Sequence, residues 1–263
     1  MKVSVIGEIL SNEVLADNYY RVCFHAPEIC RIAQPGQFVH VKINALRERL
    51  LRRPFSICNV EPETGSLSIV YKRVGAGTDV LASLPPGAHC DLLGPLGKPF
   101  SLPSPEETPV LLAGGYGAAA TYLLARRSPK AGLLLLGARS KEDLLLIRDY
   151  EALGFDVKLA TEDGSRGQRG YVTTLLPDLL QDKSKNFRFY ACGPHPMLMA
   201  LGKILLEAQY PDSELSLDHR MCCGVGACFA CVVKVKAETP EGWRYARTCT
   251  EGPVFRASEV YYE

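Results

Sequence analysis

Four cysteines near the C-terminus constrain this chain more than any other feature. Three of them lie in one short segment with the spacing C-x4-C-x2-C, and the fourth follows after 17 residues (232–248). This is the ligand spacing of a plant-type [2Fe–2S] cluster, in which thiolates bind the irons. The intervening residues are mostly glycine and alanine, and glycine supplies the left-handed backbone that a tight loop requires. The predicted metal ligands are Cys223, Cys228, Cys231 and Cys249.

Other interpretations of the cysteines remain open. A disulfide framework is typical of small exported domains, whereas this chain has 263 residues and no signal-peptide pattern at its start. A structural zinc site more often pairs two C-x2-C knuckles. Ordinary buried thiols account for Cys23, Cys30, Cys58 and Cys90, but not for a dense run of three. Cys222 is left out of the ligand set, because a first gap of five residues does not match the pattern.

Composition excludes several classes of partner. A net charge of +1 gives no basis for binding nucleic acid or an anionic membrane. The longest apolar run, residues 110–125, contains three glycines and is too short for a membrane span. Ten cysteines without an export signal indicate a reducing compartment, so we expect a cytoplasmic protein.

Residues 1–101 have the pattern of a small antiparallel β-barrel. Six short β-rich stretches alternate with turn signals such as Pro35-Gly36 and Pro85-Pro-Gly87. The strands are predicted at 3–9, 20–24, 38–43, 55–60, 67–72 and 90–93, with one short helix at 77–84.

Beyond a proline-rich linker at 99–109, strands alternate with helices. The strands are predicted at 110–113, 133–138, 155–160 and 187–192, and the helices at 117–127, 141–153, 172–181 and 196–209. This alternation predicts a parallel sheet with both faces covered, over residues 102–215. Ligands of such a sheet bind at the carboxyl ends of its strands.

Residues 216–263 contain the cysteine segment and two predicted strands, at 229–236 and 243–248. This segment is too small to build its own core, so a bound metal must supply much of its folding energy. The predicted fold class is therefore α+β with three domains: an N-terminal antiparallel β-barrel, a central α/β domain with a parallel sheet and a small C-terminal iron–sulfur domain.

Two motifs in the barrel are candidate nucleotide sites. Arg53-Pro-Phe-Ser56 offers a guanidinium for a pyrophosphate, an aromatic ring for a flavin and a hydroxyl for the flavin edge. In the segment 70–78, Gly75 and Gly77 open the short helix and Thr78 lies in its first turn, where free N–H groups bind phosphate. Either motif alone is also explained by a surface turn or an ordinary loop. Together they indicate a flavin that carries a nucleotide.

A further set of candidates follows the α/β strands. Gly114, Gly115 and Gly117 end the first strand, where a backbone without side chains lets a pyrophosphate approach. Glu162 and Asp163 follow the third strand, where carboxylates accept hydrogen bonds from ribose hydroxyls. The fourth strand ends in a turn that is expected to flank the nicotinamide, namely Cys192, Gly193 and Pro194. The alternatives are a tight strand–helix turn for the glycines and a packing role for Cys192.

The sequence predicts no catalytic acid, base or nucleophile. The histidines at 25, 40, 89, 195 and 219 are scattered, and each is expected to be a surface group or a hydrogen-bonded core group. The chemistry is therefore assigned to cofactors that the chain binds and positions.

Taken together, Arg-Pro-x-Ser, Gly-Gly-x-Gly, Thr161-Glu-Asp-Gly-Ser165 and Cys-Gly-Pro resemble the ferredoxin-reductase superfamily. The segment 221–231 and Cys249-Thr-Glu-Gly-Pro-Val-Phe255 resemble the electron-transfer subunit of class 1B, NAD-dependent dihydroorotate dehydrogenase, and the likeness covers essentially the whole chain. The resemblance implies FAD, a [2Fe–2S] cluster on the four cysteines, NAD(H), and an FMN-containing catalytic subunit in a heterotetramer of two plus two chains. It assigns FAD to Arg53, Pro54, Phe55, Ser56, Val70, Tyr71, Lys72, Gly77 and Thr78.

The chain departs from the family pattern at Ala113, where glycine is common, and at Cys222, where alanine is common. Three alternatives stay open. An oxygenase reductase needs a longer ferredoxin module than the 40 residues (224–263) after Cys223 allow. Subunits of bifurcating transhydrogenases or hydrogenases often lack the intact cysteine set, and a metal-stabilised interaction subunit would bind no nucleotide. The choice between NAD and NADP is also open, because Glu162 or Asp163 favours a ribose hydroxyl and Arg139 a 2′-phosphate.

Overall fold

The computed structural model describes residues 2–44, 51–182, 184–217 and 220–262. Its strands are β1 (Val3–Ala16), β2 (Tyr19–His25), β3 (Phe38–Lys42), β4 (Arg53–Glu61), β5 (Ser66–Lys72), β6 (His89–Leu96), β7 (Thr108–Gly114), β8 (Leu133–Ala138), β9 (Asp156–Thr161), β10 (Gln168–Arg169), β11 (Phe187–Cys192), β12 (Glu214–Ser216), β13 (Val232–Lys236), β14 (Trp243–Arg247) and β15 (Val254–Arg256). The α-helices are α1 (Pro27–Cys30), α2 (Ala76–Ser83), α3 (Gly117–Arg127), α4 (Ile147–Ala152), α5 (Pro177–Gln181) and α6 (His195–Glu207).

The first six strands form a closed antiparallel barrel, which confirms the sequence prediction. The strand order is β1-β2-β5-β4-β3-β6, and β6 pairs again with β1. Alternate residues of each strand point into the barrel and form its core, which includes Val39, Val41, Ile69 and Leu92. Closure removes the free strand edges that an open sheet of this size would expose.

The second sheet has the order β10-β9-β8-β7-β11-β12-β15. Its strands are parallel except for β15, which returns antiparallel to β12. Because β7 lies between β8 and β11, chain connections leave it in both directions, and a ligand crevice forms at such a switch point.

Two predicted helices are interrupted. The helix expected at 141–153 consists of a 3₁₀ turn (Lys141–Asp143) and α4, because Leu146 adopts a left-handed φ of 62° while residues 144–146 are buried in the core. The helix expected at 172–181 consists of a 3₁₀ turn (Val172–Leu175) and α5, since Pro177 has no N–H to continue the ladder. Tertiary burial and a missing donor thus override the helical pattern.

The C-terminal segment completes the central sheet. The unpredicted strand β15 pairs with β12, and Val233, Val235 and Ala246 pack in the same core as Phe189 of β11. The hairpin β13–β14 begins at 232 rather than the expected 229, after Phe229, which has a left-handed φ of 55°. The segment therefore has no separate core, as its small size predicts.

The barrel and the α/β unit share an interface with both apolar and polar contacts. Val70 packs with the core beneath α3. Tyr19 donates a hydrogen bond to Asp143 Oδ1 at 2.6 Å, and Lys72 Nζ lies 3.0 Å from the same oxygen. Arg21 pairs with Asp149 at 2.7 Å. These contacts fix the relative position of the two predicted nucleotide sites.

Candidate cofactor sites

The barrel site joins two segments that are 24 residues (53 to 77) apart in sequence. A Cβ atom at Gly77 would lie 2.7 Å from Arg53 Nε, so the guanidinium lies against the first turn of α2 only because Gly77 has no side chain. The first N–H groups of a helix have no intrahelical partner and carry positive partial charge. A guanidinium beside them forms a cradle that fits a pyrophosphate.

The hydroxyl of Thr78 holds this turn together through hydrogen bonds to the backbone. Its hydroxyl accepts hydrogen bonds from the N–H groups of Val74 at 2.8 Å and Gly75 at 3.2 Å, and donates to the Gly75 carbonyl at 2.9 Å. The side chain of Thr78 is buried, so the structure gives it a positioning role for the turn.

The β4 motif presents its residues to alternate faces. Pro54 and Ser56 pair across the ladder with His40 and Phe38 and share their outer face. The side chain of Phe55 points to the opposite face, where its ring packs on the barrel core. The centroids of the Phe55 and Tyr71 rings lie 5.8 Å apart.

Three further residues assigned to FAD have side chains engaged in protein contacts. Val70 is buried at the domain interface, and Lys72 binds Tyr19 and Asp143, which raise the pKa of Lys72. Tyr71 stacks on Tyr20 and donates its hydroxyl to Asn12 Oδ1 at 3.1 Å. Their assignment to the flavin stays a prediction.

The second site lies at the switch point of the parallel sheet. A Cβ atom at Gly117 would lie 2.2 Å from the carbonyl oxygen of Cys192, and one at Gly193 would lie 3.0 Å from Gly114 Cα. A Cβ at Gly114 would lie 2.6 Å from Pro194 Cδ. The structure therefore brings the two predicted glycine motifs into direct contact, and the side chain of Met197 packs against both Gly114 and Gly193.

Gly115 continues this turn with a φ of 53°, and its N–H donates to the Gly137 carbonyl at 2.8 Å. Tyr116, which was not predicted as a site residue, is 57 % exposed at the start of α3. An aromatic residue inside a glycine turn at the carboxyl edge of a sheet was the signal for it, because such a ring stacks on a planar ligand.

Glu162 and Asp163 also lie at this carboxyl edge, in the exposed turn after β9. Asp163 accepts a hydrogen bond from the Ser165 N–H at 2.9 Å, and hydrogen bonds from Ser165 hold the pKa of Asp163 below its ordinary value. Both carboxylates are two strands away from Gly114, since β8 lies between β9 and β7.

The third site is the cysteine loop. Gly224 and Gly226 have φ values of 69° and 88°, the left-handed conformation expected for a tight metal loop. The Val225 N–H points to Cys223 Sγ at 3.5 Å, and Arg247 donates to the Gly226 carbonyl at 3.0 Å. The Val225 N–H is thus directed at the sulfur of a predicted ligand, as a thiolate requires.

The thiols of the four predicted ligands influence one another. Cys228 affects the pKa of both Cys223 and Cys222, and Cys231 and Cys223 affect the pKa of Cys249. Burial raises the pKa of Cys223, but the Val225 N–H and Cys228 outweigh it and lower that pKa to about 6. Burial and Cys231 raise the pKa of Cys249 to about 11.

The four predicted ligands suit a two-iron cluster by number and type, since each iron of a [2Fe–2S] cluster takes two protein ligands. In the described residues, no three His, Cys, Asp or Glu side chains are grouped closely enough to hold one metal ion. All ten cysteines are free thiols, so the structure has no disulfide framework. The Cys222 thiol also lies near Cys228.

The loop has a buried side and an exposed side. Cys231 and Cys249 pack with Phe38 and Leu96 against the barrel, whereas Cys228 is exposed. The site therefore lies between the outer face of β3 and the protein surface.

The expectation that every histidine is a surface or hydrogen-bonded group is wrong for His40. This ring is fully buried on β3, and within the part of the chain that the structure describes neither ring nitrogen has a hydrogen-bond partner. Burial, with a smaller contribution from Arg52, lowers the pKa of His40 to about 4 and keeps the ring neutral. His219 lies outside the described residues.

Comparison with known proteins agrees with this geometry. Residues 7–100 match the oxidoreductase FAD-binding domain, and residues 218–261 match the iron–sulfur cluster binding domain of dihydroorotate dehydrogenase B. The chain is 39 % identical over 260 residues to the dihydroorotate dehydrogenase B (NAD(+)) electron transfer subunit of Geobacillus kaustophilus (strain HTA426), with 96 % of each chain covered. It is 38 % identical to the subunit of the same name from Desulforamulus reducens (strain ATCC BAA-1160 / DSM 100696 / MI-1), with 98 % of each covered.

The chain belongs to the family of dihydroorotate dehydrogenase B electron-transfer subunits. Its fold is also that of a solved NADH-dependent reduced ferredoxin-NADP oxidoreductase, described for flavin-based electron bifurcation, with a TM-score of 0.82, 27 % identity and 98 % and 90 % of the two chains covered. The ferredoxin reductase of carbazole 1,9a-dioxygenase shares the fold over 80 % of this chain and 67 % of its own, with a TM-score of 0.67 and 23 % identity. None of the helices among the described residues is long and apolar enough to cross a membrane.

Proposed function

We propose that this chain passes electrons from dihydroorotate oxidation, carried out on an FMN-containing catalytic subunit, to NAD+ in pyrimidine biosynthesis. The family to which it belongs carries this electron-transfer role, with an FAD-binding domain and an iron–sulfur domain in one chain. The observation that carries the proposal is that the cysteine loop packs on β3 while the Arg53 cradle lies on the neighbouring strand β4.

When bound, the cluster exchanges single electrons, FAD exchanges one or two, and NAD+ accepts a hydride. The residues present fit these groups. Arg53 and the Gly77 turn are suited to the FAD pyrophosphate, with Pro54 and Ser56 on the outer face of the strand. Cys223, Cys228, Cys231 and Cys249 provide four thiols for two irons.

For NAD(H), we propose the crevice between β7 and β11. Gly115 is partly accessible at the turn before α3, whose first N–H groups suit a pyrophosphate, while the buried Gly114 and Gly117 let the two strand ends pack closely. Tyr116 lies at the same turn, and Glu162 and Asp163 supply carboxylates along the same edge. We retain the proposed domain limits 1–101, 102–215 and 216–263, the last boundary falling within β12.

The exposed side of the cysteine loop is the proposed contact with the catalytic subunit. Val225 and Phe229 are 44 % and 61 % exposed beside the exposed Cys228, which is unusual for large apolar side chains. The relatives are named as subunits, and a partner seated here would reach the cluster by the shortest path. We propose two copies of each chain and a cytoplasmic location, the latter because ten cysteines stay free.

The likeness to the bifurcating oxidoreductase supports a second candidate, a reductase subunit with a different flavoprotein partner. The two candidates differ in the substrate that the partner oxidises. The higher identity to the dihydroorotate dehydrogenase subunits favours the first.

The test is co-expression with a dihydroorotate-oxidising FMN subunit, followed by anaerobic purification and cofactor analysis. We expect a complex that reduces NAD+ with dihydroorotate, whereas the isolated chain oxidises NADH with an artificial acceptor and leaves dihydroorotate unchanged. Dihydroorotate oxidation by the isolated chain would contradict the subunit assignment. A complex without any dihydroorotate-dependent NAD+ reduction would contradict the proposed reaction.

A further inference from the structure

The buried ring of His40 is not explained by the protein around it. A neutral imidazole has one N–H donor and one acceptor nitrogen, and both are left without a partner in the described chain. Leaving a buried polar group unpaired is costly, so such a group in a native structure indicates a partner that the chain itself does not supply.

The ring is directed at the cysteine loop. Val39 and Val41 fill the barrel interior, so His40 and Phe38 project from the outer face of β3. A Cβ atom at Gly224 would lie 2.6 Å from His40 Cε1, 2.7 Å from Nε2 and 2.9 Å from Nδ1. The edge of the ring that carries both nitrogens therefore faces the residue that follows Cys223.

The same position borders the flavin strand. His40 pairs with Pro54 on β4, and Phe38 pairs with Ser56 while packing against Cys231 and Cys249. One cross-strand pair thus has the cysteine loop on its β3 side and the proposed FAD motif on its β4 side. His40 is the polar side chain at this boundary.

We propose that His40 donates a ring N–H to a sulfur atom of the [2Fe–2S] site, across the gap that Gly224 leaves open. This inference rests on the proposed cluster ligands. The sulfur is either the Cys223 thiolate or a cluster sulfide, since both are acceptors on that side of the loop. A donor to sulfur stabilises the reduced, more negative cluster and so raises its reduction potential. His40 is therefore a positioning residue that tunes the reduction potential of the cluster. Gly224 is required for this role, because a side chain there would collide with the His40 ring.

The experiment compares His40→Leu, which removes both ring nitrogens, with His40→Gln, which keeps an N–H donor. His89→Leu, a change at an exposed histidine of β6, is the matched control. The whole protein is purified anaerobically, and iron, acid-labile sulfide and the EPR signal of the reduced cluster are measured first. If the wild-type protein has no cluster, the proposed function fails, and that result is separate from the outcome for His40.

Redox titration followed by EPR then gives the cluster potential. We expect His40→Leu to lower the reduced-to-oxidised ratio at the wild-type midpoint by about fivefold to tenfold. At 59 mV per tenfold for one electron, this is a downward shift of about 40–60 mV. We expect His40→Gln to shift less and His89→Leu not to shift at all. An unchanged cluster potential in His40→Leu, or a shift confined to the FAD couple, would overturn the proposal.

A second measurement holds even if His40→Leu fails to assemble its cluster. Pulsed EPR of wild-type protein with ¹⁵N-labelled histidine should show a weak histidine nitrogen coupling to the reduced cluster. That coupling should be lost in His40→Gln, while the coupling of an exchangeable proton is kept. Absence of the nitrogen coupling in the wild-type protein, or its persistence in His40→Gln, would refute the assignment.

Discussion

Gly117→Ala is the substitution that most sharply tests the switch-point site. The added methyl would lie 2.2 Å from the carbonyl oxygen of Cys192, which is backbone and cannot rotate away. Ordinary carbon–oxygen contacts are about 3.3 Å or longer, so the start of α3 and the turn after β11 must separate by about 1 Å.

The expected effect follows from that displacement. Overpacking of this kind costs about 1–3 kcal/mol. A misplacement of about 1 Å reduces the efficiency of a positioned ligand by up to about 10²-fold. We therefore expect the KM for NADH to rise by about 10- to 100-fold, because both walls of the crevice move. The Arg53–Gly77 cradle and the cysteine loop do not touch Gly117 or Cys192, so we expect FAD content and cluster content to stay near the wild-type level.

The assay is NADH oxidation with an artificial acceptor, measured together with flavin and iron content. Gly154→Ala is the matched control, since its φ of 80° makes alanine unfavourable there by about 1–2 kcal/mol. Gly154 precedes the amino end of β9, whereas the crevice lies at the carboxyl ends of the strands. Its substitution therefore lowers stability without changing the crevice. An unchanged KM in Gly117→Ala, or an equal rise in Gly154→Ala, would refute the placement of NADH at this turn.

Three further outcomes are expected. Cys228→Ser should abolish the EPR signal of the cluster and keep FAD-dependent NADH oxidation. Cys222→Ser should keep both the signal and the activity. A normal EPR signal in Cys228→Ser would show that the ligand set is wrong. Arg53→Ala should weaken FAD binding by about 10- to 100-fold, as loss of a charged hydrogen bond does. Arg126→Ala, which removes the contacts of Arg126 with Asn59 and Glu61 at the far end of β4, should leave the FAD dissociation constant unchanged in a fluorescence titration. The Arg52 hydrogen bond lowers the pKa of Asp91 in the folded protein below its ordinary value of 3.8. The ion pair therefore stabilises the folded protein fully above pH 3.8, and this stabilisation is lost as the pH falls through the folded-state pKa of Asp91. Urea unfolding of Asp91→Asn between about pH 6 and pH 3 should therefore show a shallower acid-side loss of stability than wild type, and an identical slope would contradict the pairing.

Much of the fold could be predicted from the sequence because the patterns are local. Period-two strands with Pro-Gly turns predict the barrel, and β11 and α3 begin and end where the pattern places them. The breaks at Leu146 and Pro177 were missed, since a run of leucines predicts a continuous helix until tertiary burial imposes another backbone. Strand β15 was missed because three residues have no periodicity, and only pairing with β12 defines it.

The candidate sites also include features that local sequence patterns predict and features that only the folded structure reveals. Cysteine spacing and glycine turns are sequence signals with a direct chemical meaning, so the three candidate sites could be predicted from the sequence. The sequence assigned Arg53 and Gly77 to one cofactor, but the contact between them was found only in the structure. His40 was missed because a single histidine carries no motif. Its signal was position: it alternates with Val39 and Val41, so it projects from a barrel strand whose outer face also carries Phe38.

The proposed electron relay requires that one chain holds a two-iron cluster next to a bound flavin. Chemical and EPR analysis of the protein, purified without air, measures this directly. We expect two irons, two acid-labile sulfides and one FAD per chain, with a rhombic EPR signal on reduction. A colourless protein that contains zinc, or one that contains flavin without iron and sulfide, would contradict it.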